Sequence, residues 1–359
     1  MKQIKGGVTA AKGYEAASTA AGIKYQGRTD MALIYSQVPC VSAGTFTTNV
    51  VKAAPVKWDR QIVDSGAGVQ AVVVNSGIAN ACTGEEGMGY CKETAEAAAK
   101  ALNIDAAGVL VGSTGVIGMQ LPMQKLVDGI QVLAGKKAEG LQSGHDAALA
   151  IMTTDTVEKE MAVEIEIGGK TVTIGGMSKG SGMIHPNMCT MLAFITTDAA
   201  ITKEALQKAL SEDVEDTYNM ISVDGDTSTN DTAILLANGL AGNQEITYAS
   251  PEYETFKEAL HMVNETLAKK MAGDGEGATA LFEVKVVGAE SIKQAKTLAK
   301  SVVCSNLTKA AIAGHDANWG RILCAMGYSG VQFDPEKVDL FFESKAGKLQ
   351  IIENGVATD

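Results

Sequence analysis

The stretch Lys179–Ala199, KGSGMIHPNMCTMLAFITTDA, decides how the chain is read. Glycines and small polar residues lead to Cys189 and Thr190, and an apolar run follows at once. An apolar run bounded by turn residues reads as a buried strand. Thr190 therefore stands where a loop enters a strand. A threonine that merely begins a strand is the commoner case on spacing alone, so the rest of the chain has to decide.

Working outward, strand and helix patterns alternate. GVQAVVVNSG (68–77) is a β-branched run closed by a turn, and EEGMGYCKETAEAAAKALN after it carries helix formers at amphipathic spacing. GVLVGSTGVIG repeats the strand-then-turn design, with Pro122 opening a helix through MQKLVDGIQVLAGKK. MAVEIEIGGKTVTIGG alternates on both sides of Gly168-Gly169 and reads as a hairpin with one wet face. SPEYETFKEALHMVNETLAKKMAGDGEG reads as a helix with Ser250 at its N-cap. ALFEVKVVGA reads as a further strand, and KVDLFFESKAGKLQIIENG as a second hairpin. Such alternation predicts an α/β fold of sheets covered by helices.

Composition narrows the class. Of 359 residues, 46% are hydrophobic but only 5% aromatic, so the core is expected from Ala, Val, Ile, Leu and Met. The net charge is −12 with no basic stripe, which sets nucleic acid aside as a partner. No apolar run approaches membrane-spanning length, and the N-terminus lacks a signal-peptide core. None of the 6 cysteines forms a C-x-x-C pair or lies near a histidine at metal-ligand spacing. A cytoplasmic protein with reduced thiols, no metal and no cofactor is expected.

Several loops can carry chemistry. A threonine hydroxyl needs an adjacent base. His185 is close in sequence, but its neighbours do not obviously orient it. If the chain were cut before Thr190, the new α-amino group, with a reference pKa of about 7.7–8.0, could serve as base for the same residue's hydroxyl. In GSTGVIG (112–118), glycines after a strand free backbone N–H groups to hold an oxyanion, although a plain turn is the simpler reading. VDGDTSTNDTA (223–233) lacks the last ligand of a calcium loop and reads as a polar, self-bonded turn. GDGEGATALFEV offers Glu276 between glycines, suited to a substrate ammonium or to solvent. GHDANWGRI gathers His315, Asp316, Asn318 and Arg321, a cluster with a structural reading.

Taken jointly, KGSGMIHPNMCTMLAF, VDGDTSTNDTA, GDGEGATALFEV, VVVNSGIANACTG, GSTGVIG and FTTNVVKAAPV resemble the ornithine acetyltransferases of arginine biosynthesis. The likeness runs from GGVTAAKGY to GHDANWGRILCAMGYSG and beyond. It implies a layered α-β-β-α sandwich and a self-processing threonine-nucleophile acyltransferase. It implies cleavage between Cys189 and Thr190 into an α chain, 1–189, and a β chain, 190–359, which assemble as a heterotetramer of two of each. Thr190 is then the acetyl-accepting nucleophile, and Thr114 and Gly115 form the oxyanion hole. Thr153, Lys179, Thr190 and Glu276 contact substrate. The partners implied are N-acetylornithine and glutamate, with acetyl-CoA as a donor in some members.

Two departures stand out. Cys189 occupies a position that is often Ala, and members usually continue past IIENGVATD to an Asn and a Thr that touch substrate. A self-processing aminopeptidase or amidase, and a non-catalytic amino-acid-binding protein, remain open as alternatives.

Overall fold

Apolar residues on both faces of a strand require cover on both sides, and this requirement organises residues 1–276 into four layers. The protein is described by a computed structural model, for residues 1–185 and 191–358. It divides into two compact units, Met1–Glu276 and Gly277–Asp359.

In the first unit, the elements in order are β1 (Lys2–Ile4), β2 (Tyr14–Thr19), β3 (Met31–Phe46), α1 (Ala54–Ser65), β4 (Val69–Ile78), α2 (Glu86–Leu102) and β5 (Val109–Val116). There follow α3 (Met123–Lys136), α4 (Leu141–Ala150), β6 (Lys159–Ile167), β7 (Lys170–Lys179), β8 (Leu192–Thr197), α5 (Lys203–Asp216), β9 (Thr232–Ala237) and α6 (Glu252–Gly273).

The strands run in the order β1-β6-β7-β8-β9-β3-β4-β5, with β2 also on β3. The long strand β3 serves both halves: Val41–Phe46 pair with β9, and Met31–Tyr35 with β4. The two halves then face each other. Leu192 and Phe194 of β8 and Ile234 and Leu236 of β9 meet Val72 and Val74 of β4 and Leu110 of β5 in one core. The alternate residues Ala193, Ile195, Ala233 and Leu235 turn outward to α5 and α6. Ala71 and Val73 of β4 turn outward to α2 and α3. The result is the expected α-β-β-α sandwich.

The second unit holds α7 (Ile292–Cys304), α8 (Asn306–Ala313) and α9 (Trp319–Gly327). Its antiparallel sheet comprises β10 (Leu340–Ser344), β11 (Gly347–Glu353) and β12 (Val356–Ala357). The polar cluster at 314–322 is structural here, since the Asn318 side chain caps α9 and Arg321 donates to the Leu307 carbonyl.

Three local expectations need correction. ALFEVKVVGA has strand composition, but no strand forms there, since no described strand hydrogen-bonds to it. Ser250 does not cap α6. The helix starts after Pro251, and the serine hydroxyl instead accepts the Thr247 N–H at 2.9 Å. The hairpin about Gly168-Gly169 is present, yet its wet face is reduced to its turn end and to Glu160, Glu164 and Glu166 on β6. Helix α6 covers one side, and the N-terminal segment approaches the other, where Thr196 donates to the Val8 carbonyl at 2.8 Å.

Candidate active site

Strand ends converge at one place in the first unit. Lys179 ends β7 and pairs with Leu192, which begins β8; Leu192 pairs in turn with Thr232 at the start of β9. From the opposite sheet, β4 and β5 end side by side at Ser76↔Thr114 and Gly77↔Gly115. The sheets are locked close here: a Cβ on Gly112 of β5 would stand 3.1 Å from the Phe194 ring of β8.

A cavity of about 470 Å³ opens at these ends, a volume typical of small-molecule sites. Thr114, Gly115, Thr153, Lys179 and Glu276 all line it, so residues spread over the sequence meet in one place. Met191 lines it as well. Thr190 and Cys189 lie outside the described residues. Thr190 is the covalent predecessor of Met191.

The glycine-rich turn after β5 owes its shape to backbone freedom. Gly115 holds φ at 129°, and a Cβ there would collide with the Gly77 backbone. The turn is also tied from below. Asn230 donates to the carbonyls of Ala79 at 2.6 Å and Ser113 at 2.8 Å, while Ser113 Oγ donates to Asn75 Oδ1 at 2.7 Å. A turn fixed on several sides can present donors at little reorganisation cost.

Lys179 is only 8% exposed, and its Nζ donates to Thr114 Oγ1 at 3.2 Å. Burial pushes its ammonium below the ordinary lysine range, against the opposing pull of Asp155. Asp155 answers in kind. Burial pushes its carboxyl up, but Lys179 and Lys159 outweigh that and hold it below the usual carboxylate range. Thr153 is held by its own N–H on Asp155 Oδ2 at 3.0 Å and by Arg28, which donates to its carbonyl at 3.0 Å. Glu276 is exposed; its carboxylate lies against Gly182, where a Cβ would strike it.

The 223–233 loop is self-bonded as expected, through the Asp226 N–H on Asp224 Oδ1 and Thr229 Oγ1 on Asn230 Oδ1. It does more than turn. Asp224 also accepts the N–H groups of Met183 and Ile184, and Asp231 lines the cavity at 1% exposure. Burial pushes the Asp231 carboxyl well above its ordinary range, opposed by bonds from Ser228, Thr47 and the Met191 N–H. Its Oδ2 has no hydrogen-bond partner among the described residues.

Among the described residues no histidine lines the cavity. His185 bonds Ser222 at 3.1 Å, His145 pairs with Glu160 and His261 with Asp213. Sequence reading singled out neither Asp155, Lys159, Asp274, Asn230 and Asp231 nor Arg28. Each looks like an ordinary loop or strand-edge polar residue until the fold brings it to the cavity or to the residues that support it. The one visible cue was the density of acids in TTDT, GDGEG and DGDTSTND.

Known proteins are similar to this chain in sequence and, over part of its length, in fold. The family model described as the ArgJ family matches residues 15–359. A Symbiobacterium thermophilum protein named arginine biosynthesis bifunctional protein ArgJ is 54% identical over 357 residues, covering 99% of this chain and 87% of that protein. Its namesake from Thermotoga neapolitana is 53% identical over 333 residues, covering 92% and 83%. A crystal structure of the arginine biosynthesis bifunctional protein ArgJ from Bacillus halodurans matches with 43% identity and a TM-score of 0.50, over 52% of this chain and 96% of that one.

Proposed function

The chain belongs to the ArgJ family, and we propose that it performs the family's acetyl transfer through Thr190. It is an acyltransferase of arginine biosynthesis that moves an acetyl group from N2-acetyl-L-ornithine to L-glutamate. The bifunctional name of its relatives supports acetyl-CoA as a second donor.

In this reading the chain first cuts itself. Thr190 Oγ attacks the Cys189 carbonyl, the peptide bond gives way to an ester, and water hydrolyses that ester. Chains 1–189 and 190–359 result, two of each forming a heterotetramer. The freed α-amino group of Thr190 takes the proton from Oγ as the hydroxyl attacks the acetyl carbonyl of N-acetylornithine. Thr114 and Gly115 hold the oxyanion. Lys179 supports this by engaging Thr114 Oγ1, which leaves the threonine's own hydrogen free to point at the developing charge. The C–N bond breaks, the amine leaves with the proton, and acetyl-Thr190 remains. The glutamate amine then attacks that ester, releasing N-acetylglutamate and restoring the hydroxyl. Thr153, Lys179 and Glu276 hold the amino-acid part of each substrate, with Lys179 suited to its carboxylate and Glu276 to an ammonium.

One observation carries the reading: Thr114, Gly115, Thr153, Lys179 and Glu276 line one cavity with the residue that follows Thr190. Intact-mass spectrometry in the presence of N-acetylornithine tests it. Two fragments are expected, the C-terminal one beginning at Thr190 and gaining one acetyl group. Thr190→Ala should stay uncut and inactive; normal transfer by that variant would refute the nucleophile.

A further inference from the structure

The three side chains assigned to the amino-acid substrate stand on separate stretches, and one buried charge cluster joins all three. Lys159 opens β6 opposite Ser178, the neighbour of Lys179. Its side chain is 0% exposed. Its Nζ donates to Asp155 Oδ1 at 2.7 Å, to Asp274 Oδ2 at 2.6 Å and to the Val157 carbonyl at 3.1 Å. All three of its donors are thereby used.

Asp155 then holds the Thr153 part of the cavity wall directly, whereas Asp274 leads toward the Glu276 part through its backbone. Asp155 accepts the Gly180 N–H at 2.7 Å, directly after Lys179, and the Thr153 N–H at 3.0 Å. Asp274 accepts the N–H of Thr156 at 3.0 Å together with its hydroxyl. The carbonyl of Asp274 accepts Ser181 Oγ at 2.7 Å, and the Glu276 N–H returns to the Ser181 carbonyl at 3.0 Å. That last bond carries the circuit from Lys159 to the backbone of Glu276, the third substrate residue.

With Lys179 beside Asp155, two cations face two carboxylates. Such a cluster is a costly way to fill a core, since apolar side chains of similar volume often serve stability as well or better. We propose that Lys159, Asp155 and Asp274 form a positioning cluster that fixes the spacing of Thr153, Lys179 and Glu276 and thereby sets how tightly the amino-acid substrate is held. This rests on the substrate roles proposed above. None of the three is a catalytic residue: each acts through backbone or side-chain groups that it holds.

The test separates stability from placement. Lys159→Met and Asp274→Asn each leave an unbalanced buried charge, whereas the double variant restores the balance without restoring the Lys159 bonds that join Asp155 to Asp274. In the double variant, Tm should recover most of what either single change loses. KM for both N-acetylornithine and glutamate should stay raised by about tenfold or more with kcat changed much less, the signature of lost substrate binding. Recovery of KM together with Tm would overturn the proposal. Asp274→Asn alone keeps an oxygen facing Thr156 and is read in the same way should the double variant not fold; an unchanged KM there also overturns it. Calorimetric binding of ornithine is measured in parallel. If wild type binds ornithine but forms no N-acetylglutamate, the acetyl-transfer reading fails, and the variants' ornithine affinity still decides the cluster.

Discussion

Gly115 is the residue at which backbone conformation and chemistry meet most directly. Its φ of 129° and the Gly77 backbone beside its Cα leave no room for a side chain. Gly115→Ala must therefore push β4 and β5 apart at their ends and turn the oxyanion donors away. We expect the rate of Thr190 acetylation to fall by about 10²–10³, the loss typical of one misplaced oxyanion donor. Single-turnover acetylation followed by mass spectrometry checks this, and an unaltered rate would remove Gly115 from the site. The glycine-rich turn was visible in the sequence as a strand followed by glycines, but alone that pattern reads as a plain turn, and only the family resemblance gave Thr114 and Gly115 their oxyanion role. The acids that support the cavity were not legible. Asp155 and Asp274 look like ordinary solvated loop residues in TTDT and GDGEG, and only the fold brings buried Lys159 between them. Asp231 likewise sits in a plain polar loop, yet it is buried deeply enough for its carboxyl to be pushed up.

Among the elements, β5 carries the oxyanion turn at one end of the sheet order, where an open strand edge would be exposed. Helix α1 covers that edge. Trp58 donates to the Val109 carbonyl at 3.1 Å, and Asp59 Oδ1 accepts the Val111 N–H at 2.8 Å. Burial pushes the Asp59 carboxyl well above its ordinary range, and the Val111 bond only partly opposes this. The folded state thus prefers the protonated acid, while the unfolded chain ionises in the ordinary range. The stability this group contributes is complete below that range and is lost as pH rises toward the raised folded value. Asp59→Asn keeps the acceptor oxygen and cannot ionise. Its Tm relative to wild type should therefore rise over the interval that begins at the ordinary carboxylate value of about 4 and runs upward. Thermal melts across that interval check the sign, and a gap that ignores pH would show that Asp59 is ionised in the fold. Periodicity revealed most of the elements, β4, α2, α3 and the β6–β7 hairpin among them. It misread 280–289, where strand composition is not matched by a ladder to any described strand, because a ladder is a relation between segments and not a property of one.

For the molecule as a whole, the proposed cut and the compact units do not coincide. The units divide at Glu276 and Gly277, a boundary that no proline-rich or serine-rich linker announces in the sequence. Cleavage after Cys189 would instead fall inside the first unit, between β7 and β8. Those strands are hydrogen-bonded neighbours from Ile174↔Thr197 to Lys179↔Leu192, and β9 joins β8 to β3 of the other fragment. The core between the sheets mixes side chains from both sides of the cut, with Val72, Val74 and Leu110 against Phe194, Ile234 and Leu236. Separating the pieces would expose all of that apolar surface to water, a cost that no single broken peptide bond offsets. The fragments should therefore co-elute on native size exclusion and part only in denaturant. A fragment 1–189 that elutes alone under native conditions would mean that cleavage opens the sandwich. Thr114 and Gly115 on one fragment would then no longer face the residue that follows Thr190 on the other, and the shared cavity that carries the functional reading would be lost.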